Sequence, residues 1–144
     1  MELKQLTPDL KVAGQLRPED MAAVAASGVR SLICNRPDGE AADQPATAAI
    51  IEAAEKQGLR FRDIPFTAGR QTPQDVAAFA AALDELPKPV LAYCRSGMRS
   101  TTIWAMSQAG VTPVESLVRT AAAAGYDIQP MRPVLDALAG AARG

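Results

Sequence analysis

No histidine occurs anywhere in the sequence. Cys–His pairs, Ser–His–Asp triads and histidine-bearing metal sites are therefore excluded, and any nucleophile must be activated by backbone dipoles, arginine or a carboxylate. Cysteine is scarce too. Cys34 and Cys94 are the only two, too few for a disulfide framework or a thiolate metal cluster. Aromatic residues make up 4% of the chain against 48% apolar residues in all, which leaves Ala, Val, Leu and Ile to build the core. No apolar stretch approaches the roughly 18 residues of a membrane span. The opening Met1-Glu-Leu-Lys-Gln5 lacks a basic segment followed by an apolar one. With a net charge of −1 there is no general attraction to nucleic acid or an anionic membrane, so any taste for anions is local. These absences imply a soluble protein in a reducing, cytoplasmic setting. The 144 residues suffice for one self-sufficient domain spanning 1–144.

What the chain does contain is an alternation of strand and helix signals. Lys11 to Leu16 reads as a short strand. Pro18 opens a helix to Ala26, at the first-turn position where a missing N–H is harmless, and Gly28 closes it. Val29 to Asn35 is a compact apolar strand ended by the turn Arg36-Pro-Asp-Gly-Glu40. Pro45 to Gln57 is a second helix stopped by Gly58, and Leu59 to Phe66 alternates as a strand does. Thr72-Pro-Gln-Asp75 supplies an N-cap, a first-turn proline and an acidic third position for a helix to Leu86. Helices alone follow the last strand: Thr112-Pro-Val-Glu115 opens one that ends near Gly125, and Pro133 to Ala142 is the last. Such alternation predicts an α/β fold with right-handed crossovers, a mainly parallel central sheet flanked by helices, and a helical C-terminal part. Ligands then bind outside the carboxyl ends of the strands.

The stretch from Pro89 to Trp104, PVLAYCRSGMRSTTIW, carries the chemistry. An apolar strand, Pro89 to Tyr93, runs straight into Cys94-Arg-Ser-Gly-Met-Arg99 and then into a helix bearing Ile103, Trp104 and Met106, which read as core. Backbone N–H groups of Arg95, Ser96, Gly97 and Met98 can curl into a nest, with the helix N-terminus adding its positive end and Arg99 closing the ring. Gly97 is expected at positive φ. The nest suits an oxyanion and favours the thiolate form of Cys94. Ser96 and Ser100 are small donors for that thiolate, Ser100 from the first helical turn. Arg36 leaves another strand's carboxyl end and would rim the same pocket. Cys34 reads as a small core residue, with a resolving thiol as the other reading, and Arg70 as a solvated surface cation.

Val29-Arg-Ser-Leu-Ile-Cys-Asn-Arg-Pro-Asp-Gly-Glu40, Gln44-Pro45, Ile64-Pro65, Cys94-Arg-Ser-Gly-Met-Arg-Ser100 and Ala-Ala-Gly-Tyr126 together resemble a bacterial family. This is the phosphatase-like domain of beta-lactamase-hydrolase-like proteins, related to tyrosine and dual-specificity phosphatases and also described as a sulfurtransferase. The resemblance implies a protein-tyrosine/dual-specificity-phosphatase-like fold and leaves the reaction open. Those phosphatases have five residues between cysteine and arginine, whereas four separate Cys94 from Arg99, and Ser100 stands where their arginine would. That is the loop length rhodaneses use. They also carry an aspartic acid after the strand corresponding to Ile64-Pro-Phe66, and Thr67-Ala-Gly-Arg70 offers none.

Both departures favour sulfur transfer, because the shorter loop offers a tighter nest around the thiolate sulfur and sulfite leaves without a proton donor. The expectation is a sulfurtransferase working through a Cys94 persulfide. It takes a small oxyanion or sulfane-sulfur substrate such as thiosulfate, passes sulfur to a small thiol or cyanide, and uses no metal or organic cofactor. Arg99 and Arg95 would orient the sulfonate. The alternatives are a phosphatase forming a phosphocysteine, and a non-catalytic anion- or partner-binding module. Oligomeric state is left open.

Overall fold

Strands that alternate with helices and carry apolar residues on both faces pair in parallel, and this chain does so around one sheet. The computed structural model describes residues 1–143. Strands β1 (Lys4–Thr7), β2 (Leu10–Ala13), β3 (Ser31–Cys34), β4 (Arg60–Asp63) and β5 (Val90–Tyr93) form a sheet in the order β1-β2-β5-β3-β4. β2, β5, β3 and β4 run parallel, and only β1 pairs antiparallel, as an edge hairpin with β2. The nucleophile strand β5 is therefore central. It is buried along its whole length, with Val90 and Ala92 facing one layer and Leu91 and Tyr93 the other.

Each face has its own core. On the first, Leu10, Val12 and Ile33 meet α3 (Pro73–Glu85), α4 (Met98–Gln108), α5 (Val114–Ala123) and α6 (Arg132–Arg143) through Phe79, Ile103, Trp104, Leu117 and Leu135. On the second, Leu32, Cys34 and Leu91 meet α1 (Met21–Ala26) and α2 (Thr47–Lys56) through Met21, Val24 and Ile50. Each fully buried Leu, Ile or Phe stabilises the fold by about 1.5–3 kcal/mol, so both layers are needed to hold the sheet. The fold is the expected α/β arrangement, mainly parallel and helical at its C-terminal end.

Local signals place the elements well. At the start of α3, Thr72 Oγ1 accepts from the Asp75 N–H at 3.1 Å and the Asp75 carboxylate accepts from the Thr72 N–H at 2.9 Å. The differences are at edges. β1 gives no periodic signal because Leu6 is its single buried residue, and the β2 strand starts and ends earlier than the Lys11–Leu16 reading. Pro18–Asp20 winds as a 3-10 turn before α1, and α2 begins at Thr47, whose N–H and Oγ1 both donate to Asp38 Oδ1 at 2.8 Å. Among the described residues no helix is long and apolar enough to cross a membrane.

Candidate active site

Three parallel strands, β2, β5 and β3, end side by side, and the loops that leave them converge. The end of β5 and the loop after it are pinned on both sides: Cys94 N–H donates to Ala13 O at 3.3 Å and Gln15 N–H to Arg95 O at 3.2 Å on the β2 side, and Asn35 N–H donates to Tyr93 O at 2.9 Å on the β3 side. Cys94 is buried and a free thiol. Its Sγ accepts the Gly97 N–H at 3.1 Å. Gly97 stands at φ 95° as the N-cap of α4, so the amides of the first turn open toward the sulfur side of the loop. A Cβ on Gly97 would lie 2.1 Å from Tyr126 Oη, and that hydroxyl donates to Ser96 O at 3.0 Å. Tyr126 thus props the loop from the segment after α5. The sequence held this residue only within a family motif.

Arg99 leaves the first turn of α4 and lines one wall of a pocket of about 270 Å³ with Cys94. Arg95, Ser96, Met98, Phe66, Gln71 and Met131 complete most of the lining. Its guanidinium is held by a glutamate 59 positions earlier: Nη1 donates to Glu40 Oε2 at 3.0 Å and Nη2 to Oε1 at 3.1 Å, and Nη1 also reaches Phe66 O at 3.1 Å. Glu40 Oε1 accepts from Arg36 Nε at 2.9 Å, and Arg36 Nη1 donates to Gln15 Oε1 at 3.0 Å. Arg99, first of all, and then Arg36 hold the Glu40 carboxyl below the usual glutamate range. Glu40 is the residue sequence reasoning missed. It lay inside a turn signal, and nothing local tied it to Arg99.

The sequence profile of the family described as beta-lactamase hydrolase-like protein, phosphatase-like domain, matches residues 2–111. The chain belongs to this family. A curated beta-lactamase hydrolase-like protein of Xylella fastidiosa is 32% identical over 108 residues, 75% of this chain and 25% of that protein. The chain thus spans about a quarter of the length of the curated relatives it matches. A Neisseria meningitidis crystal structure, provisionally described as a phosphatase, is 35% identical and superposes with a TM-score of 0.87 over 96% of this chain and 99% of that one. Tk-PTP superposes with a TM-score of 0.75 at 16% identity, over 96% of each chain, which shows a protein-tyrosine-phosphatase-like fold.

These findings correct the expected reaction. The solved structure at 35% identity is described as a phosphatase, and sulfur transfer through a persulfide falls as the leading reading. Both arguments for it fail physically. The shorter spacing does not withdraw the arginine, since Arg99 shares the pocket wall with Cys94. The missing aspartate restricts which leaving groups can depart without a proton, and does not exclude phosphate-ester cleavage.

The other sequence-predicted residues sort themselves by contact. Arg95, Ser96 and Met98 line the pocket, and Gly97 supplies the donor to sulfur. Ser96 Oγ accepts the Met98 N–H at 3.3 Å, so it braces the loop. Ser100 does not serve the thiolate: its Oγ donates to Asn35 Oδ1 at 2.8 Å, and Asn35 Nδ2 donates to Ile64 O at 3.0 Å. One step along a helix turns a side chain by about 100°, which sends Ser100 inward where Arg99 faces the pocket. Arg36 is buried behind Glu40 and does not line the Cys94 pocket. Cys34 is core: its Sγ donates to Arg36 O at 3.3 Å, and burial raises its thiol pKa. Arg70 is exposed.

Proposed function

We propose that the chain is a cysteine-dependent phosphatase that cleaves phosphate monoesters with good leaving groups, aryl phosphates foremost. The observation that carries this reading is the Cys94 thiol, capped by the Gly97 amide and lining one pocket with Arg99, on a fold shared with a relative provisionally described as a phosphatase. Arg99 has three of its five N–H contacts engaged by Glu40 and Phe66, and the rest of the fork is free for two phosphoryl oxygens. The first-turn amides of α4 add the positive end of the helix dipole.

In the first step Cys94 Sγ, as thiolate, attacks phosphorus. An S–P bond forms as the ester P–O bond breaks, and the leaving oxygen departs with the electron pair and takes a proton from water. In the second step a water molecule attacks phosphorus, the S–P bond breaks, and inorganic phosphate leaves with the thiolate restored. Among the described residues no Asp or Glu lines the pocket, and Glu40 is ionised by its two arginines. A phenol, with a pKa near 10, tolerates this far better than an alcohol. Apolar walls from Phe66, Met98 and Met131 suit an aryl body. The chemistry needs Cys94 as a free thiol, which the expected reducing, cytoplasmic setting preserves.

The test is hydrolysis of a series of aryl phosphates by wild type and Cys94→Ser. Wild type should turn them over with rates that fall steeply as the phenol pKa rises, and the variant should be inactive. Turnover equal in both proteins would overturn the proposal.

A further inference from the structure

A second basin adjoins the Cys94 pocket. It has a volume of about 260 Å³ and is lined by Gln15, Arg17, Arg36, Asp43, Gln44 and Arg95, among others. Arg95 is common to both spaces, so groups held in the two would sit next to one another across its side chain. The loop around it is fixed by close packing: a Cβ on Gly14 would lie 3.0 Å from Arg95 O, and Gln15 N–H donates to that same oxygen.

Charge gives the basin its ligand class. Three guanidinium groups line it. Arg36 is 4% exposed, with Nε spent on Glu40 and Nη1 on Gln15, and Nη2 has no hydrogen-bond partner among the described residues. Arg95 is exposed and pairs with no carboxylate among the described residues. Arg17 pairs with Glu19 at 2.8 Å but keeps 57% of its side chain exposed, so its outer nitrogens remain available. Against these stands Asp43, the one acidic residue on the basin wall among the described residues. Asp20 is turned to the Arg17 N–H at 2.8 Å, and Glu40 is shared between Arg36 and Arg99.

The geometry points to the basin as a second anion subsite, so that the substrate class is a phosphate monoester bearing another phosphate-like oxyanion near the one that is cleaved. Arg17, Arg95 and the free edge of Arg36 receive the second group through charge-assisted hydrogen bonds. Asp43 opposes it and sets how much extra charge is accepted. This inference rests on the Cys94 pocket of the proposed function, and its test reads binding without turnover, so the two can fail separately.

The probes are inorganic phosphate, pyrophosphate and tripolyphosphate, titrated calorimetrically into Cys94→Ser at low salt. One site per chain is expected, with tripolyphosphate or pyrophosphate at least about tenfold tighter than phosphate. Adding Arg17→Gln, whose side chain is largely exposed, should shrink that advantage about threefold or more and leave phosphate affinity unchanged. Adding Asp43→Asn should enlarge it. An advantage unchanged in both double variants would overturn the subsite. So would phosphate affinity falling in step with the longer anions in Arg17→Gln.

Discussion

The loops that leave β5 and β3 reach the same place by different means. The β5 loop is local: within six residues it presents the nucleophile, a positive-φ glycine whose N–H meets the sulfur, and the arginine that lines the same pocket. The β3 loop works at a distance. Its Asn35 ties Ser100 to Ile64, its Glu40 clasps Arg99, and its buried Arg36 steadies Glu40 from behind. One loop holds the reacting atoms and the other holds the groups that hold them. Substitutions in the first should stop the chemistry, and substitutions in the second should degrade it by degrees.

The largest effect is expected at Cys94. Cys94→Ser should lower aryl phosphate kcat/KM by about a thousandfold or more, roughly 4 kcal/mol of transition-state stabilisation. Unchanged circular dichroism would show that the fold is kept. Next comes Gly97→Ala, which forces an alanine to positive φ at a cost of about 1–2 kcal/mol and drives its Cβ into Tyr126. A loss of about a hundredfold in kcat is expected, partly restored by pairing it with Tyr126→Phe if the hydroxyl is the obstacle.

In the β3 loop, Glu40→Gln should cost about tenfold in kcat/KM, about 1.4 kcal/mol, because a neutral amide keeps one acceptor oxygen and sets an NH2 donor against the second N–H of the Arg99 fork. The sign with pH follows from the lowered Glu40 pKa. A depressed carboxylate contributes stability above its unfolded-state pKa, and that contribution disappears as pH falls through the folded-state value. Wild type should therefore lose stability more steeply than Glu40→Gln as pH drops below the ordinary glutamate range, measured by chemical denaturation. Parallel curves would remove Glu40 from this role. Ser100→Ala leaves Asn35 Oδ1 buried without its donor and should cost about 1–3 kcal/mol of stability, with a smaller change in kcat. Smallest of all, Cys34→Ala should leave turnover within about twofold, since the thiol only fills core and meets the Arg36 carbonyl.

The same contrast explains what could be read from the sequence. The β5 loop was legible because its parts are contiguous: an apolar run, Cys94, Gly97 and Arg99, then a helix, each with a conformational reason to sit where it does. The alternation of elements gave the parallel sheet for the same reason, and Thr72 with Asp75 marked α3 within one helical turn. Glu40 was hidden because 59 positions separate it from Arg99 and Pro-Asp-Gly already accounts for the turn around it. Ser100 misled because a spacing of one residue looks trivial in sequence but rotates a side chain from pocket to core on a helix. The reaction itself was misjudged by reading the short Cys94–Arg99 spacing and the missing aspartate as marks of sulfur transfer, when Arg99 still shares the pocket with Cys94 and leaving-group chemistry can relax the need for an acid.

The most direct test of the account is rapid-quench mass spectrometry of wild type mixed with an aryl phosphate. The account predicts a transient adduct with the mass of one phosphoryl group, mapped to Cys94 alone by peptide sequencing at neutral to alkaline pH, where a phosphocysteine persists, and absent from Cys94→Ser. Burst release of the phenol without any adduct on Cys94, or an adduct on Cys34, would contradict it.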